Sequence, residues 1–246
     1  MTGRRIVNTR ATHQLSRLTT LLEQAGATVV EYPCIAIVAP EDTKPLTDAL
    51  QCLASYDWLV LTSANTVAAL SSLGVVADGL KVAAVGSSTA NAVKAQLGRE
   101  TALLPEHFTA ESLAQALPIQ PGERVLIPSS AIAGPALADI LTQRGAKVTV
   151  VEAYRSVLGA GGENVPALLA QKQIDAVTFT SASTVANFLT RLDSEGGRRP
   201  DLACVCIACI GPQTAAMAQA QGLVVSVMPE VHTLYGLVAA LAKYFS

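Results

Sequence analysis

Aromatic and charged residues are scarce in this chain of 246 residues: aromatics make up 4% of it and charged residues 15%. Surfaces that bind single-stranded nucleic acid stack bases on aromatic rings, and a formal net charge of −2 without a basic run offers little to nucleic acid or an anionic membrane. No apolar run reaches the length of a membrane-spanning helix, and no signal peptide is recognisable at the N-terminus. We therefore expect a cytoplasmic protein whose partner is neither a nucleic acid nor a membrane.

Motifs for nucleotides, covalent catalysis and metals are missing as well. The chain has no Gly-x-Gly-x-x-Gly fingerprint, no phosphate-binding Gly-Lys-Ser/Thr loop and no Gly-x-Ser-x-Gly nucleophile elbow. The cluster Cys204, Cys206 and Cys209 lacks a second group of ligands, so we interpret it as part of a buried strand in which Cys204 and Cys206 share a face. We expect no cofactor and no metal. An enzyme of this composition works by positioning and electrostatics.

Short apolar runs alternate with helical patterns along the whole chain. Half of the residues are hydrophobic, enough at this length for two compact domains. Leucines at helical spacing predict a helix over Gln14–Gln24, and the unbroken run Trp58–Thr62 is typical of a strand buried on both faces of a parallel sheet. The other predicted strands are Arg5–Thr9, Thr28–Tyr32, Val82–Val85, Arg124–Ile127, Lys147–Val151, Ala176–Thr180, Val205–Ala208 and Val224–Val227. The pattern predicts an α/β fold with parallel sheets flanked by helices.

An internal repeat relates the two halves of the chain at offsets of 118 to 125 residues. The matched segments are Leu61–Val67 with Phe179–Val185, Val85–Ala90 with Ile210–Ala215, Pro105–Leu113 with Pro229–Leu237, Gly3 with Gly122, and Gly26 with Gly145. A repeat of two copies predicts two similar lobes with a cleft for a ligand. The segments Tyr32–Glu41 and Glu152–Asn164, rich in proline or glycine, are the predicted crossings between the lobes.

Small polar residues fill four turns at which a predicted strand ends and a helix begins. These turns are Thr62–Asn65, Gly86–Thr89, Thr180–Ser183 and Gly211–Thr214. Ligands of open α/β sheets bind at the carboxyl ends of strands, and a helix N-terminus favours an anion by about 0.3–1 kcal/mol. Helix capping alone explains any single turn. Because the turns recur at matching positions in both repeats, we favour a polyanionic ligand held by backbone amides.

Eight short segments share their order and spacing with a known family. They are Thr9-Arg10, Tyr32-Pro33, Asp57–Asn65, Ala84–Gly86, Thr109–Leu113, Gly145–Val148 followed by Tyr154-Arg155, Phe179–Ser181 and Ile210–Ala215. Through them the chain resembles the uroporphyrinogen-III synthase family over almost its whole length. The resemblance implies two α/β lobes joined by a two-stranded linker, with the active site in the cleft between them. One lobe would comprise residues 1–35 plus 157–246, the other 39–152, with linkers at 36–38 and 153–156.

The resemblance also implies the reaction, a cyclizing hydro-lyase step of heme biosynthesis. Hydroxymethylbilane, a linear tetrapyrrole with an acetate and a propionate on each ring, loses water to form an azafulvene and closes through a spiro intermediate that inverts ring D. We expect a monomer that receives this substrate from hydroxymethylbilane synthase. Tyr154 matches the tyrosine that assists the departing hydroxyl, with hinge packing as its alternative role. The implied substrate-binding residues are Thr9, Arg10, Ser63, Ala64, Gly86, Ser87, Ser88, Thr89, Ser129, Ser130, Ser181, Ala182, Gly211, Pro212, Gln213 and Thr214.

One segment departs from the family pattern. Many relatives carry Arg-Gly and a further arginine after the strand that begins the second repeat, where this chain has Pro128–Gly134 without a cation. We therefore expect only hydroxyl and amide contacts from Ser129 and Ser130. Two other functions stay open from sequence: a non-catalytic two-lobed binding protein for a small polyanion, and a tetrapyrrole-modifying methyltransferase. The missing signal peptide counts against the first, and the missing glycine-rich loop against the second.

Overall fold

The computed structural model describes residues 1–75, 79–131 and 134–246. Two units follow from the packing of the chain: unit 1 comprises Met1–Ala36 and Val157–Ser246, and unit 2 comprises Ile37–Ser156. Among the described residues, no helix combines the length and the apolar character that a membrane span requires.

Strands and helices alternate along the chain. The strands are β1 (Arg5–Asn8), β2 (Thr28–Glu31), β3 (Ile35–Val38), β4 (Trp58–Leu61), β5 (Lys81–Ala84), β6 (Arg124–Ser130), β7 (Lys147–Leu158), β8 (Ala176–Phe179), β9 (Cys206–Cys209) and β10 (Val225–Val227). The helices are α1 (Leu15–Gln24), α2 (Lys44–Gln51), α3 (Ala64–Ser72), α4 (Ser87–Leu97), α5 (Ala110–Ala116), α6 (Ala136–Gln143), α7 (Val165–Ala170), α8 (Ala182–Ser194), α9 (Pro212–Ala220) and α10 (Leu234–Tyr244).

The sheet of unit 1 has the strand order β10-β9-β8-β1-β2, and its paired strands are parallel. Side chains alternate across it: Val7 belongs to a core with Phe179 and Phe188, whereas Ile6 packs on the opposite face with Leu18 and other residues of α1 and α10. Helices α8 and α9 contact each other, as do α1 and α10. Both faces of the sheet are therefore covered, as a parallel sheet requires.

The sheet of unit 2 has the strand order β3-β7-β6-β4-β5, in which β7, β6, β4 and β5 run parallel. All four residues of β4 are buried. Leu59 and Leu61 face a core with α3 residues such as Leu70, and Val60 faces a second core with α5 residues such as Leu113. The predicted α/β fold with parallel sheets flanked by helices is confirmed.

Each sheet combines strands from both sequence repeats. The offsets of the repeat match β1 with β6, β2 with β7, β4 with β8, and β5 with β9. The order β9-β8-β1-β2 in unit 1 then corresponds to β5-β4-β6-β7 in unit 2. The two units are copies of one arrangement, although neither unit is a continuous copy of the repeat.

Two local expectations differ from the structure. The strand predicted to end at Val151 continues as β7 to Leu158, because its extended backbone persists until the glycines that follow Leu158. Cys204 precedes β9 and is exposed, so the expectation that it shares a strand face with Cys206 was wrong. Cys206 and Cys209 are buried in β9, where they pack as small hydrophobic residues.

The buried guanidinium group of Arg191 contacts several segments of unit 1. Arg191 of α8 donates from Nη1 to the Pro33 carbonyl at 2.7 Å and from Nη2 to the Gly161 carbonyl at 2.6 Å. Its Nε lies 2.6 Å from Glu195, and its guanidinium carbon lies 3.6 Å from the centre of the Tyr32 ring. Tyr32 donates its hydroxyl to Glu195 at 2.8 Å, and burial followed by this hydrogen bond raises the pKa of Tyr32 above its usual range.

Candidate active site

The carboxyl ends of four neighbouring strands form one edge of the sheet in unit 2. Because β5, β4, β6 and β7 are parallel and adjacent, the residues that follow or end them lie along that edge. Ser63 follows β4, Gly86 follows β5, Ser130 ends β6, and Tyr154 stands opposite Ser130 in β7. The sheet thus brings together four of the residues predicted from sequence.

Tyr154 and Ser63 contact each other at this edge. The Tyr154 hydroxyl donates to Ser63 Oγ at 3.2 Å, and Ser63 also accepts a hydrogen bond from the Asn65 backbone N–H at 3.0 Å as the N-cap of α3, whose first residue is Ala64. The Tyr154 ring is buried in the core that contains Leu61. Tyr154 therefore packs through its ring and presents its hydroxyl at the strand ends.

The second turn of unit 2 begins α4 at a glycine. Gly86 is extended, with φ of −161°, so its conformation suits any residue. A Cβ atom at Gly86 would lie 3.4 Å from Cγ of Phe108, an ordinary van der Waals contact, so the Phe108 ring lies directly beside this turn. Ser87 and Ser88 are exposed, and Thr89 is buried. Since Gly86 cannot cap with a side chain, the first N–H groups of α4 suit an anion.

The ends of β6 and β7 hold a buried carboxylate oxygen. Ser129 is buried and stands opposite Glu152 in the register, and the pairing is irregular between Ser129 and Ser130. Oε1 of Glu152 is buried and has no hydrogen-bond partner within the described part of the chain. Of the Pro128–Gly134 segment that departs from the family pattern, residues 132 and 133 lie outside the described residues.

Unit 1 presents the corresponding edge, at which β1, β8 and β9 are neighbours. Ser181 caps α8, whose first residue is Ala182, and accepts from the Thr184 backbone N–H at 3.2 Å. In return, Thr184 Oγ1 accepts from the Ser181 backbone N–H at 3.2 Å. This reciprocal pair is a capping box, so at this turn the capping alternative accounts for both side chains.

The second turn of unit 1 repeats the glycine and ring of unit 2. Gly211 precedes Pro212, the first residue of α9, and a Cβ at Gly211 would lie 3.3 Å from Cγ of His232. Gln213 is exposed and Thr214 is buried. Both uncapped helices therefore begin beside a ring, Phe108 in unit 2 and His232 in unit 1.

Thr9 and Arg10 follow β1 but differ in what they offer to a ligand. Thr9 is fully buried, and its hydroxyl donates to the Thr178 carbonyl at 2.6 Å. This hydrogen bond links the end of β1 to β8, so the side chain has a structural role in the sheet. Arg10 is half-buried and donates to Gln14 Oε1 at 2.9 Å. Burial, and secondarily the charge of Arg17, lower the pKa of Arg10. Arg10 is thus a cation at the strand ends of unit 1.

Sequence reasoning missed the two rings and the buried carboxylate oxygen of Glu152. The repeat could have indicated the two rings, because Phe108 and His232 occupy matching positions in the segments that begin at Pro105 and Pro229. Among the described residues, no three histidine, cysteine or acidic side chains group as a metal site would require.

Comparisons with known proteins show which family this sequence resembles. A family model described as "Uroporphyrinogen-III synthase HemD" matches residues 16–239. A uroporphyrinogen-III synthase of Synechococcus elongatus is 35% identical over 257 residues, covering 98% of this chain and 96% of that protein. The porphyrin biosynthesis protein HemD of Ruminiclostridium josui is 32% identical over 231 residues, covering 90% of this chain and 45% of that longer protein.

A solved structure shows the same fold. The crystal structure of a mutant uroporphyrinogen III synthase from Thermus thermophilus aligns with a TM-score of 0.63 at 21% identity, covering 99% of this chain and 100% of that one. At this identity the likeness concerns the fold, whereas the family model and the Synechococcus relative cover nearly the whole sequence. This chain belongs to the uroporphyrinogen-III synthase family, and it is a cyclizing hydro-lyase of porphyrin biosynthesis.

Proposed function

We propose that the enzyme converts hydroxymethylbilane to uroporphyrinogen III with inversion of ring D. The hydroxyl of the substrate leaves as water, which produces an azafulvene. The substituted carbon of the terminal ring attacks it, and the resulting spiro intermediate fragments and recloses with that ring reversed. Such a reaction needs a site that holds one conformation of a flexible polyanion and assists one departing hydroxyl.

The contact between Tyr154 and Ser63 is the observation that carries this proposal. It puts a phenol hydroxyl, fixed by its buried ring, at the carboxyl ends of the strands in unit 2. A phenol can donate a hydrogen bond to a departing hydroxyl without holding a charge itself. We therefore assign to Tyr154 the assistance of water loss.

The turns of both units are proposed to hold the acetate and propionate groups. Helices α4 and α9 begin at Gly86 and Gly211, where backbone N–H groups suit carboxylates. Exposed polar side chains flank them, and Arg10 supplies a cation in unit 1. Backbone donors spread over several turns suit a ligand whose charge is spread over four rings. Delivery by hydroxymethylbilane synthase, a monomeric state and a cytoplasmic location stay predictions.

The product isomer tests the reaction. Hydroxymethylbilane closes spontaneously without inversion, so freshly generated substrate should give the non-inverted isomer alone and uroporphyrinogen III when the protein is added. The products are oxidised and resolved by chromatography, with heat-denatured protein as the control. A non-catalytic binding protein would deplete free hydroxymethylbilane without forming the inverted isomer, and that result would refute the proposal.

A further inference from the structure

The two N-cap serines at equivalent turns make different hydrogen bonds. In unit 1, Ser181 and Thr184 close the capping box. The repeat matches this pair with Ser63 and Thr66 in unit 2. There Ser63 accepts from the Asn65 N–H, and Thr66 Oγ1, in a fully buried residue, makes no hydrogen bond to any described residue. The capping box of unit 2 is open.

Folding alone does not explain the open box. A buried hydroxyl without a partner is unfavourable, and the related turn shows that this sequence pattern can satisfy it. The difference at Ser63 is its contact with the Tyr154 hydroxyl. Ser181, by contrast, hydrogen-bonds Ser183 Oγ at 2.9 Å, on its own helix.

A count of donors and acceptors shows what Ser63 can do for Tyr154. A serine hydroxyl has one proton and can accept two hydrogen bonds, and the Asn65 N–H uses one acceptor position. Ser63 can therefore either accept from the phenol or donate to it. The distance of 3.2 Å is longer than the usual 2.7–2.8 Å between hydroxyl oxygens, so little is lost when the two hydroxyls rotate.

We propose that Ser63 is a positioning residue for Tyr154, an inference that rests on the proposed role of Tyr154 in water loss. When Ser63 donates to the phenol oxygen, the proton of Tyr154 points away from Ser63 and toward the departing hydroxyl. The same hydrogen bond polarises the phenol O–H and so strengthens the hydrogen bond that Tyr154 donates to the departing hydroxyl. Asn164, the N-cap of α7, is not among the proposed binding residues and serves as the control within the same chain.

Single substitutions separate positioning from capping. Ser63→Ala should lower kcat about three- to tenfold, the equivalent of one neutral hydrogen bond, with little change in KM and with more of the non-inverted isomer. Asn164→Ala removes an N-cap that accepts from the Ala167 N–H at 3.1 Å, and it should leave kcat within about twofold and the isomer ratio unchanged. Ser63→Thr keeps the hydroxyl and should restore kcat. Thermal unfolding compares the folding of the variants, and Ser63→Gly, a better N-cap than alanine, is used if Ser63→Ala is poorly folded.

A double-mutant cycle decides whether Ser63 acts through Tyr154. In the Tyr154→Phe background, Ser63→Ala should cause no further loss of kcat beyond about twofold. Equal losses in both backgrounds, or an isomer shift for Asn164→Ala as large as that for Ser63→Ala, would overturn the inference and leave the function intact. If Tyr154→Phe alone changes neither kcat nor product, the proposed role of Tyr154 fails and this inference fails with it.

Discussion

Replacing Arg191 by methionine tests whether its buried guanidinium stabilises unit 1. The substitution keeps a long apolar side chain and removes every donor. Two backbone carbonyls, those of Pro33 and Gly161, would lose a charged partner, and Glu195 would lose its counter-ion. The cation above the Tyr32 ring would disappear as well.

The magnitude follows from the burial of these contacts. The side chain of Arg191 is 5% exposed, and that of Glu195 is 37% exposed. Removing one partner of a buried ion pair costs about 3–5 kcal/mol, and a cation–π contact adds about 0.5–2 kcal/mol. Because Glu195 regains some hydration, we expect Arg191→Met to lower the free energy of unfolding by about 3–5 kcal/mol in total. Arg191→Lys keeps a charge without the planar set of donors and should lose less.

Arg198→Met is the matched control. Arg198 is 72% exposed and pairs with Asp201, so its loss should cost at most about 1 kcal/mol. Urea unfolding is followed by far-UV circular dichroism, which reports the secondary structure of both units. It is also followed by the fluorescence of Trp58, which is the single tryptophan and reports on unit 2. The reasoning is refuted if Arg191→Met destabilises the protein no more than Arg198→Met does.

Two further predictions concern the site and the core of unit 1. Tyr154→Phe should lower kcat by about 10²-fold or less, more than it raises KM, and should increase the non-inverted isomer, because spontaneous closure competes. Wild-type kcat with only the inverted isomer would show that Tyr154 is a packing residue. Burial raises the pKa of Cys206 to about 11 and that of Cys209 to about 12, whereas an unfolded thiol titrates near about 8.5. A raised pKa favours the protonated thiol in the folded state, so the stabilisation is complete below about pH 8.5 and is lost as the pH rises through the folded pKa values. Urea unfolding at about pH 7 and about pH 10 should therefore show a smaller fall in stability for the double variant Cys206→Ala/Cys209→Ala than for the wild type. Equal falls in the two proteins would contradict this reading of the buried thiols.

Local patterns in the sequence predicted the elements and the turns that carry the site. The apolar run from Trp58 is a strand buried on both faces, and Ser63, one of the small polar residues after it, is the N-cap of α3. These features depend on neighbours in sequence, where periodicity and capping preferences act. They therefore place the predicted residues at strand ends without knowledge of the tertiary structure.

Contacts between distant residues could not be predicted in the same way. Arg191 binds the Pro33 carbonyl 158 positions away, and Tyr154 meets Ser63 across 91 positions. Thr66 Oγ1 lacks a hydrogen-bond partner among the described residues, whereas its repeat counterpart Thr184 accepts from the Ser181 N–H. Periodicity shows which face of an element is apolar, but it does not show which distant side chain fills the space beside a turn.

The mixed origin of each sheet has a consequence for synthesis on the ribosome. Unit 2 is continuous, so it can fold as soon as Ser156 has left the ribosome, whereas β1 must wait for β8 and β9. At about 5–20 residues per second, the first two strands wait roughly 10–40 s for the rest of their sheet. During that time β1, which holds Ile6 and Val7, fully buried in the finished protein, has no partner on its β8 side. The nascent segment that holds β1 and β2 is thus the part of this sheet that stays open longest to a chaperone or to another unfolded chain.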